Sequence, residues 1–448
     1  MRGLNLERFD QRLDATLSQP LAVAFSGGGD SLAALIASVA WANACGRPVL
    51  ALHVDHRLQA KSGAWRDFAA DAAERLGAQF RALTWDDAKP SRGLAAAARR
   101  ARHAMIAEAA RAAGASVVVF GHTADDLAEA ALMRSEGSTL GALGVWRPSP
   151  VWPEGRGVML FRPLLRARRV DIRAALRAAG WTWIDDPANA DLRSPRARAR
   201  MALDPARPAP APDADCAGAA RLALAAEADP WGAIRLDRGG LLAAARPAAE
   251  RVLAAAMLST GGGERPPRRR SLARLLERLE AGDDVTATLA GARLQARGNT
   301  ILVAREAGEA ARGGLAEAFL PAAAPTVWDG RFELRAGCAP SAVRALGGRG
   351  KQLVAAERRR LAAAPVPARA ALPLVQGPDG AWTCPILARG AGAEARSLAG
   401  ERFLAACGAR PREAATLAGV TIRARGEMPI GALSLSPSGS FLEGLRRQ

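Results

Sequence analysis

The apolar run Leu21-Ala22-Val23-Ala24-Phe25 breaks directly into Ser26-Gly27-Gly28-Gly29-Asp30-Ser31, and helical spacing resumes at Leu32, Leu35, Ile36 and Val39. A strand that turns through three glycines into an amphipathic helix is an anion cradle. The glycines remove the Cβ atoms that would hold a phosphate off the backbone. The helix start then points unpaired N–H groups and the positive end of its dipole at the anion. The Walker pattern is excluded, because no Lys follows the last glycine and the spacing is too short. A glycine-rich turn that holds nothing is the bland alternative, and the flanking strand and helix speak against it.

The surrounding pattern supplies a scaffold for such a cradle. Strands are expected at 48–53, 80–84 and 117–121, with helices at 64–76 and 94–113 between them. Strands separated by helices of this length indicate an α/β fold, a doubly wound parallel sheet with helices on both faces. Ligands of such sheets bind at the carboxyl ends of the strands. Three polar clusters stand at those ends: Ser26 to Ser31, then His53-Val54-Asp55-His56, then His122-Thr123-Ala124-Asp125-Asp126.

At 448 residues the chain exceeds one ordinary domain. A catalytic domain is expected over 1–204 and a Pro/Ala-rich linker over 205–215. A mainly helical domain over 216–312 and a small α+β domain over 313–448 follow. Helices are expected at 219–226 and 241–258 and in a stretch ending near Glu280; 286–305 alternates like a hairpin, and strands are expected around 326–334 and 381–387.

The 62 basic residues against 44 acidic ones, a net +18, favour a polyanionic partner, and nucleic acid is the commonest. Nearly all of that charge is Arg, since Lys occurs only at Lys61, Lys89 and Lys351. Cys45, Cys216, Cys338, Cys384 and Cys407 are widely spaced with no CxxC pair, which argues against a disulfide framework, a zinc site or an iron–sulfur cluster. No apolar run approaches the ~20 residues of a membrane span, so a cytoplasmic protein with no membrane partner is expected.

Six motifs in order carry a resemblance. They are SGGGDS, HVDH at His53 to His56, AARRARH at Ala97 to His103, GHTADDLAEA at Gly121 to Ala130, FRPLL at Phe161 to Leu165, and DDPANADLRSPRARAR at Asp185 to Arg200. The first resembles the pyrophosphate-binding loop of the N-type ATP pyrophosphatases, the PP-loop superfamily with its adenine nucleotide alpha hydrolase-like fold. Together they resemble the tRNA(Ile)-lysidine synthetases. The later segments are similar to that family more weakly, through Pro266-Pro267-Arg268, Thr288 to Gly291 and Ala371 to Leu374. The family usually has Tyr where His103 stands and Thr where Ala130 stands, and its arginine–glycine loop is compressed here to Arg134 to Ser138.

The resemblance implies ligation of free L-lysine to carbon 2 of the wobble cytidine of tRNA(Ile) with a CAU anticodon. ATP and Mg²⁺ are consumed or required, the tRNA is adenylated on the way, and codon specificity passes from AUG to AUA. It further implies tRNA-binding roles for both later domains and is compatible with a homodimer. The residues agree with such chemistry. Carbon 2 of cytosine is a poor electrophile until its oxygen becomes a leaving group, which calls for a pyrophosphate clamp and a metal. Ser26, Ser31 and the amides of Gly27, Gly28 and Gly29 suit the phosphates, and Asp30 suits Mg²⁺, with helix capping as its rival role. His53 and Asp55, with His56, are expected to shape the adenosine pocket; a metal triad is the alternative.

Asp126 and Glu129 lie three apart and share a helical face, fit to receive the lysine ammonium; a solvated acidic patch is the alternative. Neutralising that amine at pH 7 costs about 4.6 kcal/mol, so carboxylates serve recognition first and proton acceptance second. Arg99, Arg102, Arg196 and Arg200 are candidates for phosphate or tRNA backbone. Three other readings stand beside this one: a PP-loop tRNA thiolase, disfavoured by the lack of paired cysteines, an amidotransferase-type ligase, and an RNA-binding protein with an inactive ATP site.

Overall fold

The computed structural model describes residues 7–59, 61–138, 141, 143–187, 191, 194–203, 217–337, 339–377, 380–388 and 393–414. After the short helix α1 (Glu7–Asp10) the chain alternates β1 (Leu21–Ala24), α2 (Gly29–Cys45), β2 (Val49–Asp55), α3 (Ser62–Arg75), β3 (Gln79–Thr84), α4 (Leu94–Ala112), β4 (Val117–Phe120) and α5 (Ala124–Ser135). Two short strands, β5 (Trp146–Pro148) and β6 (Met159–Phe161), and two helices, α6 (Arg169–Ala178) and α7 (Pro195–Ala202), follow. The sheet runs β3-β2-β1-β4-β6-β5, parallel throughout except for β5.

The apolar strands are continuous because both faces are covered. Leu21 and Val23 enter one core with Val117 and Val119, while Ala22 enters the other with Val118 and Phe120. Strand order reverses around β1, between β2 on one side and β4 on the other. That switch point is where such sheets bind nucleotides, and the glycine turn sits on it.

The segment after 216 carries α8 (Ala217–Ala225), α9 (Arg238–Ala243), α10 (Arg246–Gly261) and α11 (Arg269–Glu280). They pack on a five-stranded sheet built from β7 (Glu227–Ala228), β8 (Ile234–Asp237), β9 (Val285–Leu289), β10 (Ala292–Arg297) and β11 (Thr300–Arg305); the last three are the antiparallel strands expected over 286–305, while β7 and β8 were not expected. The expected single helix over 241–258 is two. The chain leaves the helix at Ala244 and Ala245, with ψ of 159° and 136°, and Pro247 falls in the first turn of α10, where it needs no N–H partner.

The last unit has two small sheets. One joins β12 (Ala318–Leu320), β15 (Ser341–Ala345), β16 (Pro373–Gln376) and β17 (Trp382–Thr383); the other joins β13 (Pro325–Trp328), β14 (Phe332–Arg335) and β18 (Glu394–Ser397). Helices α12 (Ala355–Ala363), α13 (Val366–Arg369) and α14 (Ala399–Ala406) complete it in sequence. In space, however, α14 departs from the expected division at 313. Phe403, Leu404 and Cys407 are buried in the middle unit's core with Val252 and Leu253 of α10.

The segment after α14 then reaches the first unit. The Arg47 and Glu413 side chains, 0% and 1% exposed, form a two-pronged ion pair at 2.7 and 3.0 Å. The Trp146 indole donates to the Arg410 carbonyl at 2.7 Å. The 205–215 linker lies outside the described residues.

Candidate active site

A cavity of about 480 Å³ opens at the switch point and is lined by residues from the glycine turn, the ends of β2 and β4, and the segments around α6 and α7. Its floor is the turn itself. Gly27 takes φ +84°, in the left-handed region that favours glycine, and its carbonyl accepts the Ile184 N–H at 3.0 Å. The Ser31 hydroxyl donates to the Gly28 carbonyl at 2.8 Å and lies 3.1 Å from the Ser26 hydroxyl, so Ser31 braces the loop as well as facing the cavity. Gly121, just past β4, approaches so closely that a Cβ there would stand 2.4 Å from the Asp30 carbonyl oxygen.

Asp30 is not a cap. The N-cap of α2 is Gly28, with no side-chain hydrogen bond, and Asp30 points elsewhere. Its Oδ2 accepts from Arg169 Nε at 2.9 Å, while Oδ1 is buried without a hydrogen-bond partner. Burial raises the Asp30 pKa, and Arg169 only partly opposes it.

Arg169 is the hub of the site. Besides Asp30, its guanidinium reaches Glu129 Oε1 at 3.1 Å and Asp126 Oδ1 at 3.2 Å, and its backbone N–H donates to Asp125 Oδ2 at 2.7 Å. Arg196 donates to Glu129 Oε2 at 2.8 Å and Asp126 Oδ1 at 2.5 Å, and Arg200 to Glu129 Oε1 at 2.8 Å. Three carboxylates thus meet three guanidiniums. Burial alone would raise the Glu129 pKa, but the bonds from Arg200 and Arg196 outweigh it and hold it below the usual value.

Asp126 has two roles, because its other oxygen accepts from the Thr123 N–H at 2.6 Å and caps α5. The solvated-patch alternative does not hold: Asp126 and Glu129 are 6% and 1% exposed.

The β2 end is apolar in character despite its histidines. His53 Nδ1 lies 3.1 Å from the Phe25 carbonyl, so the neutral ring donates there. Burial, then Arg102, pushes His56 down to about 4. Asp55 lines the cavity and accepts from the Arg57 N–H. Among the described residues no group of three His, Cys, Asp or Glu is arranged to hold a metal, so the metal-triad alternative finds no support.

Arg102 lines the cavity with its Nε unpartnered, and burial together with Arg99 lowers it to about 10. Arg99 stands behind it, near Arg196. The cavity therefore gathers the expected residues around one space, with Gly27, Arg99 and Glu129 just behind its lining. Arg169, Ile184 and Gln59, which donates to Asp186 at 2.9 Å, were not singled out by sequence, and Arg162 entered only as part of the FRPLL motif. No signal separates Arg169 from Arg166 and Arg168 in an arginine-rich chain. None of the described cysteines lines the cavity, and burial pushes the Cys384 thiol up to about 12.

Comparison with known proteins fixes the lineage. Residues 5–207 match the family model of the PP-loop domain. A tRNA(Ile)-lysidine synthase of Caulobacter vibrioides is 50% identical over 91% of this chain and 98% of its own length. The chain belongs to the tRNA(Ile)-lysidine synthase family. A second member, from Brucella anthropi, is 34% identical over 73% of this chain and 76% of its own. A solved U34-tRNA thiolase from Methanococcus maripaludis shares 17% identity with a TM-score of 0.37, covering 44% of this chain and 70% of that one. The family model and the relative from Caulobacter vibrioides make the fold a PP-loop α/β domain followed by helices and small sheets, and the chain a PP-loop tRNA-modifying ligase. No described helix is long and apolar enough to cross a membrane.

Proposed function

We propose that this enzyme adenylates the C2 oxygen of the wobble cytidine of tRNA(Ile) with a CAU anticodon and then joins free lysine to carbon 2. One observation carries the reading: Arg169 touches both Asp30 of the PP-loop and the Asp126–Glu129 pair, so the phosphate end and the acidic end face one cavity. In the first step the C2 oxygen bonds to the α-phosphorus and pyrophosphate leaves. In the second the lysine ammonium first yields a proton to a carboxylate, the free amine bonds to carbon 2, AMP leaves with the C–O electrons, and the nitrogen gives up a further proton.

Asp30 would hold Mg²⁺. Its buried, unpartnered Oδ1 is the acceptor such a hard cation takes, since Mg²⁺ binds one or two carboxylates plus phosphate oxygens. Bound there, the ion neutralises phosphate charge. The amides of Gly27 to Gly29 at the start of α2 cradle the pyrophosphate. His53 and Asp55 shape the adenosine side.

Asp126 and Glu129 would take the lysine ammonium by exchange. Arg196 and Arg200 keep side chains 38% and 33% exposed, against 14% for Arg169, so they are the partners free to let go. Arriving RNA phosphate offers them, with Arg99 and Arg102, a replacement anion. Lysine binding then depends on tRNA. The two later units, with the exposed Arg268, Arg269 and Arg270, extend the basic surface for the rest of the tRNA.

The test is incubation of the protein with labelled lysine, ATP, Mg²⁺ and total bacterial tRNA, followed by identification of the labelled RNA. Label in tRNA(Ile) with a CAU anticodon and equimolar AMP supports the reading. Label absent, or sulfur entering instead, rejects it.

A further inference from the structure

One half-buried polar group in the cavity is left without a role by that scheme. His122 follows Gly121 at the carboxyl end of β4 and lines the cavity. Its ring lies 5.7 Å from that of Phe120 at an interplanar angle of 10°, and Phe120 in turn stacks with His103 at 5.1 Å. Arg162, which follows β6, donates from Nε to His122 Nδ1 at 3.1 Å. That guanidinium is itself held, 4% exposed, with one nitrogen on the Gly144 carbonyl at 3.0 Å.

The tautomer follows from donor inventory. A guanidinium carries five donors and no acceptor, so the ring nitrogen facing it bears no proton. A neutral imidazole must then carry its proton on Nε2. No hydrogen bond among the described residues engages Nε2.

The surroundings keep the ring neutral. Burial, then Arg162, Arg196, Arg99 and Arg102, pushes His122 well below its ordinary pKa. The charged and titratable groups facing it are Arg99, Arg102 and His103 on α4, Arg162 just after β6, and Arg196 on α7. Arg162 remains protonated at neutral pH, although burial and Arg99 lower it to about 9.

We propose that His122 is a fixed neutral donor whose Nε2–H meets a phosphoryl oxygen of the adenylyl group at the switch point, and that it is not the base for lysine's proton. This rests on the ligase reading above. During adenylation His122 keeps its proton while the C2 oxygen gains the α-phosphorus and pyrophosphate departs. During transfer it has no free lone pair, because Nδ1 is taken by Arg162 and Nε2 is protonated. The proton lost by the lysine nitrogen goes to a carboxylate of the Asp126–Glu129 pair. Donation to an oxygen that gathers charge in the transition state is the reason for a donor that costs no reorganisation.

The full chain has only four histidines, His53, His56, His103 and His122, which makes nitrogen-15 histidine labelling selective. At pH 7.5 the signal lost in His122→Gln should show the neutral Nε2–H pattern, and it should move on addition of Mg²⁺ with α,β-methylene-ATP. An imidazolium or an Nδ1–H pattern, or no movement with the analogue, overturns the proposal.

Single-turnover adenylation without lysine gives the second readout. His122→Phe keeps the stacked ring and should slow adenylation about 100- to 1000-fold. His122→Gln, which returns an N–H near the Nε2 position, should recover at least ten-fold, with KM for lysine unchanged in both. Equal rates for Phe and Gln make the ring a packing element and overturn the proposal. If the wild-type chain fails to adenylate tRNA while the resonance behaves as expected, the ligase reading fails instead. The wild-type spectrum stands even if His122→Phe does not fold.

Discussion

Arg169 binds three carboxylates that the chemistry assigns to two different substrates, and this coupling sets what single substitutions can separate. Asp30→Asn should abolish pyrophosphate release and leave tRNA affinity nearly intact, as measured by filter binding. Asp126→Asn and Glu129→Gln should raise KM for lysine about ten- to a hundredfold, since hydrogen bonds to charged groups are worth roughly 1.5–3 kcal/mol. Arg169→Lys should damage both steps together, because an ammonium cannot span three acceptors as a fork does. An Arg169→Lys enzyme with normal adenylation would break the link. Elsewhere, Asp229 is a buried carboxylate with Oδ2 unpartnered, and burial lifts it from 3.8 to about 6. A raised carboxylate favours folding while protonated, so that stability is present below pH 4 and is lost as pH rises to about 6. Asp229→Asn should therefore be more stable than the parent above pH 6, by up to about 3 kcal/mol, with the gap closing toward pH 4 in urea melts. A gap that ignores pH would point to packing instead.

At the scale of elements, β4 and α2 meet through Gly121, where any Cβ would collide with the Asp30 carbonyl. Gly121→Ala should lower the melting transition and cut adenylation sharply, because the backbone of Asp30 and Ser31 must shift to admit the methyl group. Normal adenylation by this variant would show that the contact can yield. Phe403→Ala, by contrast, removes a fully buried ring from the middle unit's core and should cost about 3–5 kcal/mol. The elements differ in how far the sequence revealed them. β1, β2 and β4 were legible within two residues because strands buried on both faces are unbroken apolar runs. β5 and β6 were not, being three residues each, and β5 contains Arg147 and Pro148. Asp30, Asp126 and Glu129 were legible because they stand at strand ends. Arg169 was hidden by composition, Arg162 stood in a quoted motif without a role of its own, and α14 was hidden by its distance from the core it completes.

On the scale of the whole molecule, the basic surface extends beyond the catalytic unit. The affinity for tRNA should fall with salt at a slope of about −0.7 to −0.9 per phosphate contact. Replacing Arg268, Arg269 and Arg270 by Gln should reduce that slope in the full chain by up to about three such contacts. An unchanged slope would take this surface out of the interface. Full-length variants are the right vehicle, since a fragment ending near residue 204 would lack Glu413 and leave Arg47 buried with no counter-charge. For the same reason Glu413→Gln should lower full-chain stability by about 3–5 kcal/mol, seen in the denaturation midpoint.

The Arg47–Glu413 pair also has a meaning in time. Its partners are 366 residues apart, and at ~5–20 residues per second the ribosome delivers the second about 20–70 s after the first. Once β6 has been made, and until Glu413 follows, the sheet that bears the ATP site has an unanswered charge at the amino end of β2. A chain halted before Glu413 would therefore hold a buried guanidinium without its carboxylate where β2 begins, and its catalytic unit would be less stable than in the finished protein.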